Sequence, residues 1–235
     1  MTEKNIQFDP INDLTALSLN DVEFAFINFG WAGILLKAKQ KTVAFDLCKQ
    51  NLKQNVAKIN ILDIQFNSHI HGDHFDIKGT TQLFQQTGAK IVVESTIFEE
   101  LKGKIPNEAL FSANPDKPIN IDEFTINSIE GSHLCPICLF QVEWNNFSVF
   151  HGGDSDYVPL ENYQTDLAFI PTGSPSPTCS PEKGLKMVLD VKPKVVVPMH
   201  GTKAQMKKFE TLIARELPKT KVIIPEKNQL IKAEI

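Results

Sequence analysis

A chain of 235 residues, 42% of them hydrophobic, carries enough apolar material for one sizeable core, and no linker, repeat or charge block divides it. Residues 1–235 are therefore expected to form a single domain. A formal net charge of −4 with one arginine, Arg215, excludes the basic footprint of a nucleic-acid-binding protein, so no nucleic-acid partner is expected.

The segment from Met1 to Pro10 is polar, and no apolar run approaches the ~18 residues of a membrane span. A cytoplasmic protein with no membrane partner is expected. The first quarter reads as short strands over Val22–Phe29, Gly33–Ala38 and Thr42–Asp46, punctuated by Gly30, Gly33 and the Lys39-Gln40-Lys41 turn. A strand over Ile61–Asn67, a helix over Lys78–Gln86 stopped by Gly88, and a strand over Lys90–Glu94 follow.

A second β-rich run covers Phe124–Ile129, Cys138–Trp144 and Ser148–Phe150, with Asn145-Asn146 as the hairpin turn. Strands over Leu167–Ile170, Val195–Pro198 and Val222–Ile224 then alternate with helices at 181–191 and 203–217. Ser180 is a suitable N-cap for the first of these, and Pro181 suits N1, which needs no hydrogen-bond donor. Two β-rich halves, each with helices, predict an α/β architecture of two packed mixed sheets with helices outside.

The strongest chemical signal is Ser68-His69-Ile70-His71-Gly72-Asp73-His74, where an apolar strand stops and three histidines and a carboxylate fall within six residues. Imidazole and carboxylate are the ligands zinc and similar ions prefer. The chain has six histidines, and the other three each close a predicted strand beside glycine, in Gly131-Ser132-His133, His151-Gly152-Gly153-Asp154 and Met199-His200-Gly201. Such placement suits a site assembled from loops at one edge of a sheet sandwich.

The series His69-x-His71-x-Asp73-His74, His133, Asp154, His200 resembles the metallo-β-lactamase superfamily over nearly the whole chain. Gly152-Gly153-Asp154-Ser155, Asp166-Leu-Ala-Phe-Ile-Pro-Thr-Gly173 and Val195-Val-Val-Pro-Met-His-Gly201 are similar to its ascorbate-phosphate lactonase-like branch. That branch often carries Gly-His-Ser near its start, where this chain has Gly30-Trp31-Ala32-Gly33.

The resemblance implies the αββα sandwich and two divalent metal ions per chain, zinc before manganese or iron. It further implies that His69, His71 and His133 hold one ion, that Asp73, His74 and His200 hold the other, and that Asp154 bridges. Asp73 would also be catalytic, taking up a proton. Asp46 corresponds to an acidic family position that either orients a ligand histidine or satisfies loop amides. His151 matches no expected ligand and is read as orienting its neighbours or lining the pocket.

Cys48, Cys135, Cys138 and Cys179 are too few and scattered for a disulfide framework, and Cys135-Pro-Ile-Cys138 is read as ordinary thiols. The Pro/Ser/Thr-rich loop Thr172–Ser180 either borders the site or is a plain surface connection. The expected activity is hydrolysis of a small ester-like molecule, a lactone or phosphodiester, by a hydroxide shared between the two ions. The alternatives are a nuclease of the same fold and a non-catalytic metal-dependent sensor. Redox di-iron chemistry is disfavoured because His71 stands where that branch has a carboxylate.

Overall fold

The computed structural model describes residues 9–115, 117–174 and 178–235. The first sheet comprises β1 (Glu23–Gly30), β2 (Gly33–Ala38), β3 (Lys41–Phe45), β4 (Ile64–Asn67), β5 (Lys90–Val93) and β6 (Leu110–Ser112). The second comprises β7 (Ile119–Ile121), β8 (Phe124–Glu130), β9 (Cys138–Trp144), β10 (Phe147–His151), β11 (Leu167–Pro171), β12 (Val195–Met199) and β13 (Lys221–Val222). The last strand, β14 (Leu230–Glu234), returns to the first sheet beside β1.

Both sheets are mixed. In the first, β1 to β3 form an antiparallel meander and β3 to β6 run parallel. In the second, β7 to β10 are antiparallel and β10 to β13 parallel. The Asn145-Asn146 turn joins β9 and β10 with φ of 47° and 60°, the doubly left-handed geometry that fits a tight hairpin.

The period of two along the strands builds three apolar layers. Phe24 and Phe26 of β1 and Leu167 and Phe169 of β11 face the space between the sheets, where Phe26 meets Phe169 edge-on at 5.4 Å. Their alternates face outward. Ala25 and Ile27 pack under α1 (Pro10–Ala16), α2 (Lys49–Leu52), α3 (Ile77–Thr87) and α4 (Ser95–Leu101), through residues such as Leu14, Leu52, Leu83 and Ile97. Ala168 and Ile170 pack under α5 (Pro181–Val191) and α6 (Lys203–Glu216), through Met187, Val188, Phe209 and Ile213. The result is the αββα sandwich.

Strands covered on both faces show unbroken apolar runs rather than alternation, as in Val195-Val-Val-Pro-Met199, where all five residues are buried. Helix boundaries follow their caps. Asp76 accepts from Gly79 N and Gly88 closes α3 at φ 67°, so the helix exceeds the predicted Lys78–Gln86 by one residue at each end. Ser180 caps α5 as predicted, with Pro181 at its start.

The strand over Ile61–Asn67 starts later than predicted, at Ile64. Glu94 leaves the strand over Lys90–Glu94 to cap α4. The predicted strand Val222–Ile224 reduces to the two-residue β13. Among the described residues no helix is long and apolar enough to cross a membrane. The polar segment before Pro10 lies almost wholly outside the described residues, as do positions 175–177 of the 172–180 loop.

Phe26 is fully buried at the sheet interface. Phe26→Ala is expected to cost ~3–5 kcal/mol of stability, the loss typical of a buried phenylalanine in a packed core. Urea denaturation of the two proteins checks this, and a cost under ~1 kcal/mol would mean the two sheets do not share this core.

Candidate metal centre

The parallel strands of both sheets end at one edge of the sandwich, and the polar residues fall just past those ends. His69, His71, Asp73 and His74 occupy the turn after β4; His133 follows β8, Asp154 follows β10, and His200 follows β12 directly. The two sheets are tied together there by Cys138 N donating to Ser68 O at 3.0 Å. The chain is sharply bent at this edge: Trp31, Asp46 and His200 all have φ near 50°, a conformation that side-chain-bearing residues rarely adopt and that concentrates at functional sites.

Two groups form. His69, His71, His133 and Cys135 make the first, and Asp73, His74, Asp154 and His200 the second; within each, one donor atom per residue lies within 4.8 Å of the others. His69 Nε2 and His133 Nε2 lie 3.1 and 3.2 Å from His71 Nδ1. In the second group Asp154 sends Oδ1 to within 3.1 Å of His200 Nε2 and Oδ2 to within 3.2 Å of His74 Nε2. Asp73 Oδ2 stands 3.5 and 3.6 Å from the same two nitrogens. The groups abut, with the His69 and His74 rings 4.1 Å apart.

The structure brings the seven residues of the sequence reading together in two groups, with Asp154 beside Asp73, His74 and His200. Both oxygens of Asp154 face the second group. The addition is Cys135, whose Sγ lies 3.7 Å from His71 Nε2, so the reading of both C-x-x-C thiols as ordinary fits only Cys138, buried in the core between the sheets. No sequence spacing signals this, because Cys135 reaches His71 across 64 residues.

The donor set fits divalent ions. His74 Nε2, His200 Nε2 and Asp154 Oδ1 are buried without a hydrogen-bond partner, yet converge within about the reach of one cation. Three imidazoles in one group, and two imidazoles with two carboxylates in the other, are the donors of zinc-like ions.

The surrounding contacts hold these side chains still. Asp46 accepts from Ser68 N at 2.7 Å and Ser68 Oγ at 2.8 Å, and it meets His74 Nδ1 at 2.8 Å, so it both orients a ring and satisfies a loop amide. Ser68 Oγ also meets His69 Nδ1 at 3.0 Å. His151 lies in neither group. It is stacked on Phe45 at 4.7 Å, its Nε2 meets Ala32 O at 2.9 Å, and its Nδ1 accepts from Gly153 N at 3.3 Å. Those partners require a neutral ring protonated at Nε2, and burial pushes its pKa down.

The His200 turn has no room beside it. A Cβ on Gly173 would sit 1.7 Å from His200 O, and His200 N donates to Trp31 O at 3.2 Å. Trp31, His200, Met206 and Lys227 line a cavity of about 470 Å³, with Lys227 Nζ 5.0 Å from the Trp31 ring centre. A second cavity, about 550 Å³, is lined by His133, Cys135, Glu94 and Glu130. Of the 172–180 loop, Gly173 borders the first cavity.

The family described as the beta-lactamase superfamily domain matches residues 5–201, a stretch that ends one residue past His200. The chain belongs to this family. It is 29% identical over 152 residues to a UPF0173 metal-dependent hydrolase of Thermococcus onnurineus, across 59% of this chain and 66% of that protein. It is 26% identical over 205 residues to a UPF0173 metal-dependent hydrolase of Staphylothermus marinus, across 80% and 88%. Igni18, a metallo hydrolase from the archaeon Ignicoccus hospitalis, has the same fold, with a TM-score of 0.76 and 20% identity over 91% of this chain and 99% of that one.

In this β-lactamase-superfamily chain the charges of the centre are strongly coupled. Burial pushes the His74 imidazole down, but the Asp46 and Asp154 carboxylates outweigh it and raise its pKa to about 10. Burial likewise pushes Asp46 up, and His74 pulls it further the other way, to about 2. His69 is lowered to about 3, first by burial and then by the charge on His74. Without metal, therefore, His74 carries a proton that an ion would have to displace.

A raised folded-state pKa stabilises fully below the unfolded value, near 6.5, and is lost as pH rises through about 10. The metal-free protein is expected to lose thermal stability between pH 6.5 and 10, with the loss much reduced in Asp46→Asn. Zinc uptake should strengthen over the same window, since fewer protons compete. Melting curves and chelator competition across that range check both signs; a metal-free stability that rises with pH equally in both proteins would contradict them.

Proposed function

We propose that this metal-dependent hydrolase of the β-lactamase superfamily cleaves a small ester-like substrate, a lactone or phosphodiester, at a dinuclear centre. His69, His71 and His133 would hold one ion, Asp73, His74 and His200 the other, with Asp154 shared between them. Zinc is the first choice of metal, ahead of manganese or iron, because nitrogen donors predominate. The observation that carries the reading is the convergence of His74 Nε2, His200 Nε2 and Asp154 Oδ1, all buried and without hydrogen-bond partners, beside a second imidazole group.

A bound pair of dications would polarise the scissile oxygen and lower the pKa of water toward ~7, supplying the nucleophile. The chain's own residues arrange the rest. Asp154 is almost fully buried, whereas the Asp73 side chain keeps 26% of its surface exposed. Asp73 is also held below the usual carboxylate range, chiefly by its contact with His200. It is ionised at neutral pH, the form needed to hold a cation or to take up a proton.

The cavity beside His200 gives the substrate a place to lie. Trp31 and Met206 offer apolar surface, and Lys227 offers a cation for a polar or anionic end. The similarity of Gly152–Ser155 and Val195–Gly201 to the ascorbate-phosphate lactonase-like branch supports a lactone. Trp31 in place of that branch's histidine points to a different one.

Asp73→Asn tests the reading. An amide keeps the shape but cannot take up a proton, so turnover is expected to fall by ~10²–10⁴-fold, the usual weight of a positioned general base, with a smaller change in KM. The purified protein, loaded with zinc, manganese or iron, is first screened against lactones and phosphodiesters. Wild-type turnover by a fully metallated Asp73→Asn would remove Asp73 from the chemistry.

A further inference from the structure

A histidine that holds an ion through one ring nitrogen keeps the other protonated, and the acceptor of that N–H fixes the ring and its tautomer. Two of the histidines in this centre have such acceptors of oxygen. His69 Nδ1 meets Ser68 Oγ, and His74 Nδ1 meets Asp46 Oδ2. His71 is turned the other way. Its Nδ1 faces His69 Nε2 and His133 Nε2, at 3.1 and 3.2 Å, so Nδ1 is the atom presented to an ion.

That leaves His71 Nε2 pointing away from the convergence, and the group it meets is the sulfur of Cys135 at 3.7 Å. The separation suits an N–H···S bond. We propose that Cys135 is the positioning residue for His71: its sulfur accepts the Nε2–H, fixes the tautomer that frees Nδ1, and so sets the affinity of the first ion. This rests on the dinuclear reading above. Direct thiolate ligation is the rival role, since Sγ also lies within 4.8 Å of a donor atom of each histidine of the group; the contact to Nε2, the ring nitrogen remote from the convergence, favours the positioning role.

The loop around the sulfur is itself held in place. The loop that carries His133 and Cys135 is closed by Gly131 N donating to Ile137 O at 3.0 Å. It is pinned to the Asp154 loop by Ser132 N on Ser155 Oγ at 2.8 Å and Asp156 N on Ser132 O at 2.7 Å. One loop therefore delivers a ligand of the first group and the acceptor that orients its neighbour.

The test uses zinc and cobalt as probes on the full chain. Chelator competition with zinc should give two affinities for the wild type, and Cys135→Ala should weaken one of them by ~10–100-fold, the range of outer contacts on metal ligands. Cys135→Ser, which keeps an acceptor, should recover much of the loss. In the zinc-loaded wild type, the ¹⁵N resonances of His71 should report a protonated Nε2. Cobalt-loaded wild type should lack an intense sulfur-to-metal charge-transfer band.

Cys135 is the one half-buried cysteine of four, the other three being buried, so alkylation of the metal-free wild type should reproduce the alanine effect without any mutation. A strong charge-transfer band would overturn the proposal in favour of direct ligation. Unchanged zinc affinities in both Cys135→Ala and the alkylated protein would overturn it outright while leaving the dinuclear reading intact. A wild type that binds fewer than two ions would overturn both.

Discussion

Everything at the active edge depends on one electrostatic problem: ionisable groups brought into a buried place with few partners but one another. His74 is fully buried, Asp154 nearly so, and their ring and carboxylate atoms face each other and His200 rather than water. Leaving such groups unsatisfied costs roughly 1–3 kcal/mol each, more when charged. In the metal-free chain the cost is reduced by trapping a proton on His74 between Asp46 and Asp154. A divalent cation in the same place offsets it more fully, and that exchange of proton for metal links the centre's stability to its chemistry.

The fold makes such burial affordable because the polar turns hang from strands packed on both faces. β3 and β4 run parallel in one sheet, and β10, β11 and β12 run parallel in the other, so their C-terminal ends gather at one edge. The sheets behind them share the aromatic layer of Phe26, Phe45, Phe66, Phe140 and Phe169. Phe45 reaches the edge itself, stacking on His151, which in turn holds Gly153 beside Asp154. Packing in the core thus passes into the position of Asp154 through one ring. Of the left-handed residues in the chain, Trp31, Asp46 and His200 fall at this edge, the others in turns and a helix end elsewhere.

Much of this was legible in the sequence because the signals are local. The cluster from His69 to His74 follows an apolar strand, and the remaining candidates each sit beside a glycine that lets the chain turn. Long buried strands and capped helices such as α3 and α5 also declare themselves, through period and end signals within a dozen residues. Short elements do not. The three-residue strands β6 and β7, the seven-residue α4, and β14, where Leu230-Ile-Lys-Ala-Glu234 mixes apolar and charged residues, are fixed by tertiary pairing rather than by propensity. Cys135 escaped for the same reason. Its C-x-x-C spacing invites a comparison with Cys138, whereas the loop pinning that turns it toward His71 joins residues more than twenty positions apart.

The central claim, that one sandwich edge holds two ions in two chemically distinct groups, is tested most directly by anomalous diffraction at the zinc absorption edge from zinc-soaked crystals. The account predicts two anomalous peaks per chain, one bounded by His69, His71 and His133 and the other by Asp73, His74, Asp154 and His200. A single peak, or peaks elsewhere with these side chains unliganded, would contradict it.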